Sequence, residues 1–276
     1  MNSLHVEQCL WFSYSFSLFL CTSLVGLLYL PWFYGDRNDC KIIKRRSLAM
    51  LSFATVVYSV IDLDVMSYLF ELTEEQTKRV ISSSSATFFD SFSPILLLFM
   101  GPCALYIMDF TTYLLRGVSI EESLKLTLPL LVQDPCIVVR NLIVAPLSEE
   151  LVFRGCICKL FSYCTSSRSA ILLSSTFFAA SHCHHFIYRS FVYKSFRTAM
   201  LETALQCLYT FLFGVYSAWV FIRSRRVITS ICLHSFCNFI GTPDFFKIWS
   251  HNHRWPLLLV YFIGIFLFLY SVLNVS

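Results

Sequence analysis

The chain has 276 residues and a formal net charge of +4; 57% of it is hydrophobic, only 14% is charged, and its mean hydropathy is +0.66. That balance excludes a soluble domain of ordinary make-up and points to a polytopic membrane protein. With no Lys/Arg run interleaved with aromatics, it also excludes a nucleic-acid-binding surface.

At a helical rise of ~1.5 Å per residue, about 20 apolar residues cross the hydrocarbon of a bilayer. The first such run, Cys9 to Phe33, follows a stretch without Lys or Arg and is longer than a signal-peptide core, so it reads as a retained first span. Further spans are predicted over Ser47 to Phe70, Ser93 to Leu115, Leu126 to Pro146, a helix opening at Pro146, Ala170 to His185, Thr203 to Ile222, Val227 to Gly241, and Pro256 to Val275. The expected fold is all-α, a polytopic bundle of about eight transmembrane helices enclosing a cavity. The shorter and more polar segments belong inside the bundle, around the cavity. Residues 1–125 are read as N-terminal membrane helices, 126–246 as the catalytic membrane core, and 247–276 as a C-terminal helix.

Between the first two spans lie Arg37, Lys41, Lys44, Arg45 and Arg46, and Arg223 to Arg226 form a second basic connection. The positive-inside rule turns both toward the cytoplasm and the N-terminus to the far side. The acidic, serine-rich stretch Glu71 to Asp90 is expected on the luminal side. Most of the twelve cysteines, among them Cys21, Cys103, Cys207, Cys232 and Cys237, sit in apolar runs. There a thiol behaves as a small hydrophobe, so they are expected to be mostly reduced and structural.

Three polar clusters interrupt the apolar runs. In APLSEELVFRGC, a helix opening at Pro146 puts Glu149 and Glu150 in its first turn, where the macrodipole favours carboxylates. Glu150 and Arg154 stand four apart, the spacing and order of an ion pair. That leaves Glu149, rotated by about 100°, free to point elsewhere. A buried ion network that only fixes helix packing is the other reading.

The second cluster, SHCHHF, holds His182, His184 and His185 beside Cys183. Neighbouring helical residues diverge, and neither H-x3-H nor C-x2-C spacing is present, so a zinc site built from this tetrad alone is disfavoured. A single functional histidine, His182, in the last buried turn is preferred. The third, LHSFCNFIG, places His234 and Asn238 on one helix face. They form either an oxyanion-stabilising donor pair or an interhelical hydrogen bond.

Together the clusters hold what water-mediated amide hydrolysis needs: a base, donors for the oxyanion, and a group to protonate the leaving amine. No G-x-S-x-G, H-E-x-x-H or G-x-G-D motif supplies an alternative nucleophile or metal helix.

The motifs E-E-x-x-x-R (Glu149, Glu150, Arg154), the aromatic segment ending in His182, and H-x-x-x-N (His234, Asn238) resemble those of the CAAX prenyl protease 2 family, in the wider bacteriocin-immunity-like group. RNLIVAPLSEELVFRG, FAASHCHHF, FLFGVYSAWVFIR and HSFCNFIGTPDF follow in similar order, and the likeness covers about Val132 to Phe246. The resemblance implies that Glu149 activates water with help from His182, that His234 and Asn238 stabilise the oxyanion, and that Glu150 and Arg154 organise the site. It implies no cofactor and no metal. The implied substrates are farnesylated or geranylgeranylated CaaX proteins such as small GTPases, cut after the prenylated cysteine in the endoplasmic reticulum membrane, with the site accessible from the cytosol. A prenyl chain partitions into lipid at about 0.8 kcal/mol per methylene, so a laterally open site lined by Phe177, Phe178 and Phe186 suits it. A zinc-dependent version using Glu149, His182 and His234 as ligands, and a non-enzymatic scaffold or immunity-type protein, are the alternatives.

Overall fold

A computed structural model describes residues 3–30, 35–62, 88–193, 195–241 and 245–274. It is all-α, with no strand among the described residues. In chain order the helices are α1 (Ser3–Leu27), α2 (Cys40–Asp62), α3 (Phe88–Leu98), α4 (Met100–Leu115) and the short α5 (Ile120–Thr127). A 3₁₀ turn at Pro129–Val132 leads into α6, a continuous helical run over residues 135–164. There follow α7 (Ser167–Ser181), a 3₁₀ turn at His182–His184, α8 (His185–Tyr193), α9 (Phe196–Ser224), α10 (Val227–Ile240), α11 (Phe245–Ser250) and α12 (Arg254–Asn274).

Among the described residues three stretches are long and apolar enough to cross a membrane: Val6–Leu27 in α1, Phe196–Ser224 in α9, and Arg254–Val272 in α12. Their outer faces carry exposed Trp11, Leu18, Leu205, Leu212, Phe262 and Phe266, which suits contact with lipid chains. The other helices are shorter or more polar. The expected loop Glu71 to Asp90 and the end of the expected second span lie largely outside the described residues.

The helix carrying the EE motif departs from expectation. It opens at Asp134-Pro135, where the Asp134 carboxylate accepts from the Cys136 N–H at 2.7 Å and Pro135 occupies the first turn. The predicted Leu126 to Pro146 span is therefore replaced by α5, the 3₁₀ turn and the first part of α6. Pro146 lies inside α6, not at its start. A proline there lacks an N–H and its ring crowds the carbonyl four residues back. The wide π-helical turn Arg140–Val144 immediately before it opens the backbone ladder and accommodates the ring. A second π-helical stretch, Leu151–Cys158, follows the motif. Glu149 and Glu150 consequently sit mid-helix, away from the macrodipole's positive end, and rely on side-chain partners.

α6 is also the centre of the core. Val152, Phe153, Ile157, Leu160 and Phe161 are buried against Leu20 and Leu24 of α1, Ala54 of α2 and Phe178 of α7. A second cluster joins Tyr216 and Val220 of α9 to Leu233 and Ile240 of α10 and Ile95 of α3. Gly155 lets α2 come close: a Cβ there would lie 2.5 Å from the Tyr58 ring. On α4, buried Asp109 pairs with Lys247 at 2.7 Å and lies 3.6 Å from His251, holding the segment before α12.

The five cysteines singled out above are free thiols, but disulfides join Cys9 to Cys164 and Cys40 to Cys136. The first ties α1 to the end of α6. The second ties the start of α2 to the start of α6.

Candidate active site

The three polar clusters, distant in sequence, meet where α6, α7, α9 and α10 pack around the middle of α6. Glu150 is fully buried, and Arg154 is 1% exposed. Arg154 Nη1 lies 3.1 Å from Glu150 Oε1, the four-residue pairing expected from their spacing, although off the axis of a good hydrogen bond. The guanidinium is held from other sides as well. Nη2 donates to the Gly214 carbonyl at 3.4 Å, and the Cζ stands 4.5 Å from the Phe178 ring centroid and 5.7 Å from that of Phe213. In a dry interior this replaces hydration by a charge partner, a carbonyl and two aromatic rings. Gly214 makes the approach feasible, since a Cβ there would lie 3.1 Å from that of Ser175 on α7.

The Glu150 carboxylate has further partners. Ser217 Oγ donates to Oε2 at 2.9 Å, and His234 Nδ1 lies 2.8 Å from Oε1. A buried carboxylate next to Arg154 can only accept, so His234 Nδ1 carries the proton and donates. This orients the ring so that Nε2 faces Glu149, 3.9 Å from its Oε2. The gap is too long for a direct hydrogen bond and suited to an oxygen bridging the two. Glu149 keeps 20% side-chain exposure, unlike its neighbour. The two adjacent carboxylates therefore differ: one is sealed in an ion network, and the other borders accessible space.

His182 is half-buried at the end of α7, its Nδ1 2.8 Å from the Phe178 carbonyl. A carbonyl only accepts, so Nδ1 carries the proton and Nε2 offers a lone pair. The His182 and His234 rings both rest on Phe178, at 4.8 and 6.2 Å between centroids, which fixes their spacing. Asn238 is one turn along α10 from His234 and exposed; its Nδ2 donates to the Asn141 carbonyl at 2.9 Å, joining α10 to the π-turn of α6. A second Nδ2 hydrogen remains for another acceptor.

The aromatic candidates separate. Phe178 is 1% exposed and covers the Arg154 guanidinium, so its faces are already occupied. Phe177 is half-buried against Phe161 and Tyr14, and Phe186 is half-buried against Phe196. As for metal ligands, the only trio of His, Cys, Asp or Glu side chains close enough to share an ion among the described residues is Cys40, Asp134 and Cys136, two of which form a disulfide. Glu149, His182 and His234 do not converge in that way.

Residues 132–240, which contain all of these side chains, match the family described as Type II CAAX prenyl endopeptidase Rce1-like. Over 270 residues, 95% of this chain and 80% of the relative's, the chain is 34% identical to a CAAX prenyl protease 2 of Homo sapiens. The chain belongs to the CAAX prenyl protease 2 family. A protein of Schizosaccharomyces pombe named as a probable CAAX prenyl protease 2 is 28% identical over 239 residues, covering 84% of this chain and 80% of its own. One from Arabidopsis thaliana is 39% identical over 107 residues, 38% of this chain and 34% of its own. No solved structure matches the chain.

Membership in this family does not by itself bring out the roles of Ser217, Phe213 and the Gly214 carbonyl, which sequence reading left unassigned. Their signal is faint: Gly214 and Ser217, three apart in FLFGVYSAW, are small residues on one face of α9, where a neighbouring helix can come close.

Proposed function

We propose that this protein is a membrane endopeptidase that removes the C-terminal tripeptide from prenylated CaaX proteins, using water activated by Glu149. The observation that carries this reading is that Glu149 keeps accessible space beside His234, its Oε2 3.9 Å from Nε2, while the far side of His234 is bonded to the sealed Glu150. Family membership supplies the substrate class, since the relatives are named CAAX prenyl proteases.

In this mechanism a water enters between Glu149 and His182. Glu149 takes one of its protons, and the His182 Nε2 lone pair accepts the other hydrogen and aims the oxygen. The oxygen attacks the carbonyl carbon of the prenylated cysteine. Negative charge then grows on the carbonyl oxygen beside His234. As an imidazolium, His234 donates Nδ1–H to Glu150 and Nε2–H to the oxyanion, while the remaining Asn238 hydrogen serves as the second donor. Glu149 passes its proton to the amide nitrogen as the C–N bond breaks. The products are a prenylcysteine carboxylate and a free tripeptide.

Glu150 and Arg154 touch no substrate in this scheme. They hold His234 in place through its Nδ1 side. The prenyl chain stays in lipid at the edge of the bundle, with Phe177 and Phe186 the remaining aromatic candidates for its path. The endoplasmic reticulum as the membrane, with the site open to the cytosol, rests on the family and on the basic connections around Arg37 to Arg46 and Arg223 to Arg226.

The test is release of the tripeptide from a farnesylated CaaX peptide by purified wild type and by Glu149→Gln, each with and without a chelator. Release by wild type alone, unaffected by the chelator, is expected. Turnover by the variant would remove Glu149 as the base, and silence of the wild type would remove the proteolytic reading.

A further inference from the structure

Outside the catalytic groups, the molecule gathers three arginines at the opening of α6. Arg140 is half-buried on the π-turn; its Nε donates to Asn141 Oδ1 at 2.9 Å, and its Nη1 donates to the Arg37 carbonyl at 2.8 Å and to Asn38 Oδ1 at 3.3 Å. Arg37, on the loop before α2, stands 5.7 Å over the Tyr188 ring of α8. Arg46, half-buried on α2, lies within electrostatic reach of Arg37, and Arg140 within reach of both. Neither Arg37 nor Arg140 forms an ion pair with a carboxylate among the described residues. The nearby Asp36 and Asp39 each spend a carboxylate oxygen on backbone N–H groups, of Asn38 in the loop and of Lys41 and Ile42 in the first turn of α2. The Cys40–Cys136 disulfide pins that loop to α6, so the cluster is built, not a chance meeting of mobile side chains. Like charges held together in this way leave room for one anion.

The cluster borders the candidate active site. Arg140 is chain-adjacent to Asn141, whose carbonyl holds Asn238. On the other side His184 lies within electrostatic reach of both Arg37 and Glu149. Arg140 precedes Glu149 by nine residues on α6, which at ~1.5 Å per residue is about 13 Å along the axis. Three extended residues between a scissile carbonyl and a terminal carboxylate span about 10–11 Å, a length of the same order.

We propose that Arg140 and Arg37, backed by Arg46, form the subsite for the C-terminal carboxylate of the substrate, and so set the length of the fragment released. This rests on the proteolytic reading above. Guanidinium groups suit the task because they pair with a carboxylate through two parallel hydrogen bonds. An anionic lipid headgroup is a poorer occupant: exposed Lys41, Lys44 and Arg45 already offer charge on α2, whereas Arg140 is half-buried and held in place by the Arg37 carbonyl and two asparagines. Arg140 and Arg37 act as positioning residues. They touch the far end of the substrate and not the reacting atoms.

The test measures binding of a fluorescent farnesylated CaaX peptide, as free acid and as C-terminal amide, to the full-length Glu149→Gln protein in nanodiscs. The acid should bind at least about tenfold more tightly than the amide, the scale of one charge-assisted hydrogen bond. Arg140→Gln or Arg37→Gln in the same background should erase most of that preference by weakening the acid alone, while Lys44→Gln should keep it. A preference that survives both arginine changes overturns the proposal. So does an equal loss for acid and amide, or a loss that tracks the anionic lipid content of the disc, which would mark a structural or headgroup site. Because Arg37 is exposed, its variant keeps the test open if Arg140→Gln fails to fold. Tripeptide release by wild type is scored separately: an enzyme that cleaves yet shows no acid preference sinks this subsite alone, and one that cleaves nothing sinks the proteolytic reading.

Discussion

His234 bridges the two adjacent glutamates, with Nδ1 2.8 Å from the buried Glu150 and Nε2 3.9 Å from the partly exposed Glu149. One ring thus links a sealed carboxylate to an accessible one. Glu150→Gln tests the relationship, because it removes the carboxylate charge facing Nδ1 while keeping the shape. A fall in kcat of about 10²–10⁴ is expected with little change in KM, since the lost interaction belongs to the transition state. Steady-state kinetics on a farnesylated peptide would decide it. An unchanged kcat would mean that the His234–Glu150 bond only holds helices together.

Glu149→Gln should remove turnover and leave folding intact. The amide has the same size but cannot accept the proton of water. Glu149 is bordered by accessible space and carries none of the buried ion network, so the melting temperature in detergent should stay near that of wild type. Peptide binding should survive as well. A large drop in melting temperature would show that Glu149 is part of the structural network, contrary to the division drawn here.

The pairing of Glu150 with Arg154 was legible because it depends only on a spacing of four within one helix. His182, His234 and the EE motif could be picked out together because each is a polar residue in an apolar run. What lay beyond reach was the backbone. Pro146 looked like a helix start, and the signal that outweighs it, Asp134-Pro135, lies eleven residues earlier in a stretch read as the preceding span. The π-turn that tolerates an internal proline has no local sequence mark. Likewise Phe178 read as a lining residue of the substrate path; only the packing of α7 on α6 puts it over the guanidinium. Ser217 and the Gly214 carbonyl were hidden because a hydroxyl or carbonyl gains its meaning from the charge brought against it in space.

Arg154→Ala should damage folding and activity together. It removes the guanidinium from Glu150 and leaves the buried carboxylate with only the Ser217 hydroxyl and the His234 ring beside it. Breaking a buried pair by removing one partner costs about 3–5 kcal/mol. Glu150→Gln combined with Arg154→Met should recover much of the stability, since neither buried charge remains, yet it should stay inactive because His234 lacks its carboxylate. Equilibrium unfolding and peptide release, measured on the same samples, separate the two effects. If the double variant were as unstable as Arg154→Ala, the loss would lie in packing against Phe178 and Phe213 and not in the uncompensated charge.

Gly155→Ala tests the packing that presents the motif. The glycine follows Arg154 on the π-helical stretch, and a Cβ there would come within 2.5 Å of the Tyr58 ring on α2. Tyr58 must swing away or α2 must retreat, and overpacking of this kind costs about 1–3 kcal/mol. Any retreat of α2 also moves Arg46 and the loop bearing Arg37, because they belong to the same helix and its approach. The variant should therefore lose stability and, in addition, bind the farnesylated acid more weakly. Tyr58→Leu placed on top should return part of the stability, because a flexible aliphatic chain gives way where a ring cannot, and the two changes should be non-additive by about 0.5 kcal/mol or more, as expected of residues in contact. Strict additivity in that double-mutant cycle would show that α2 and α6 do not press on each other at this point.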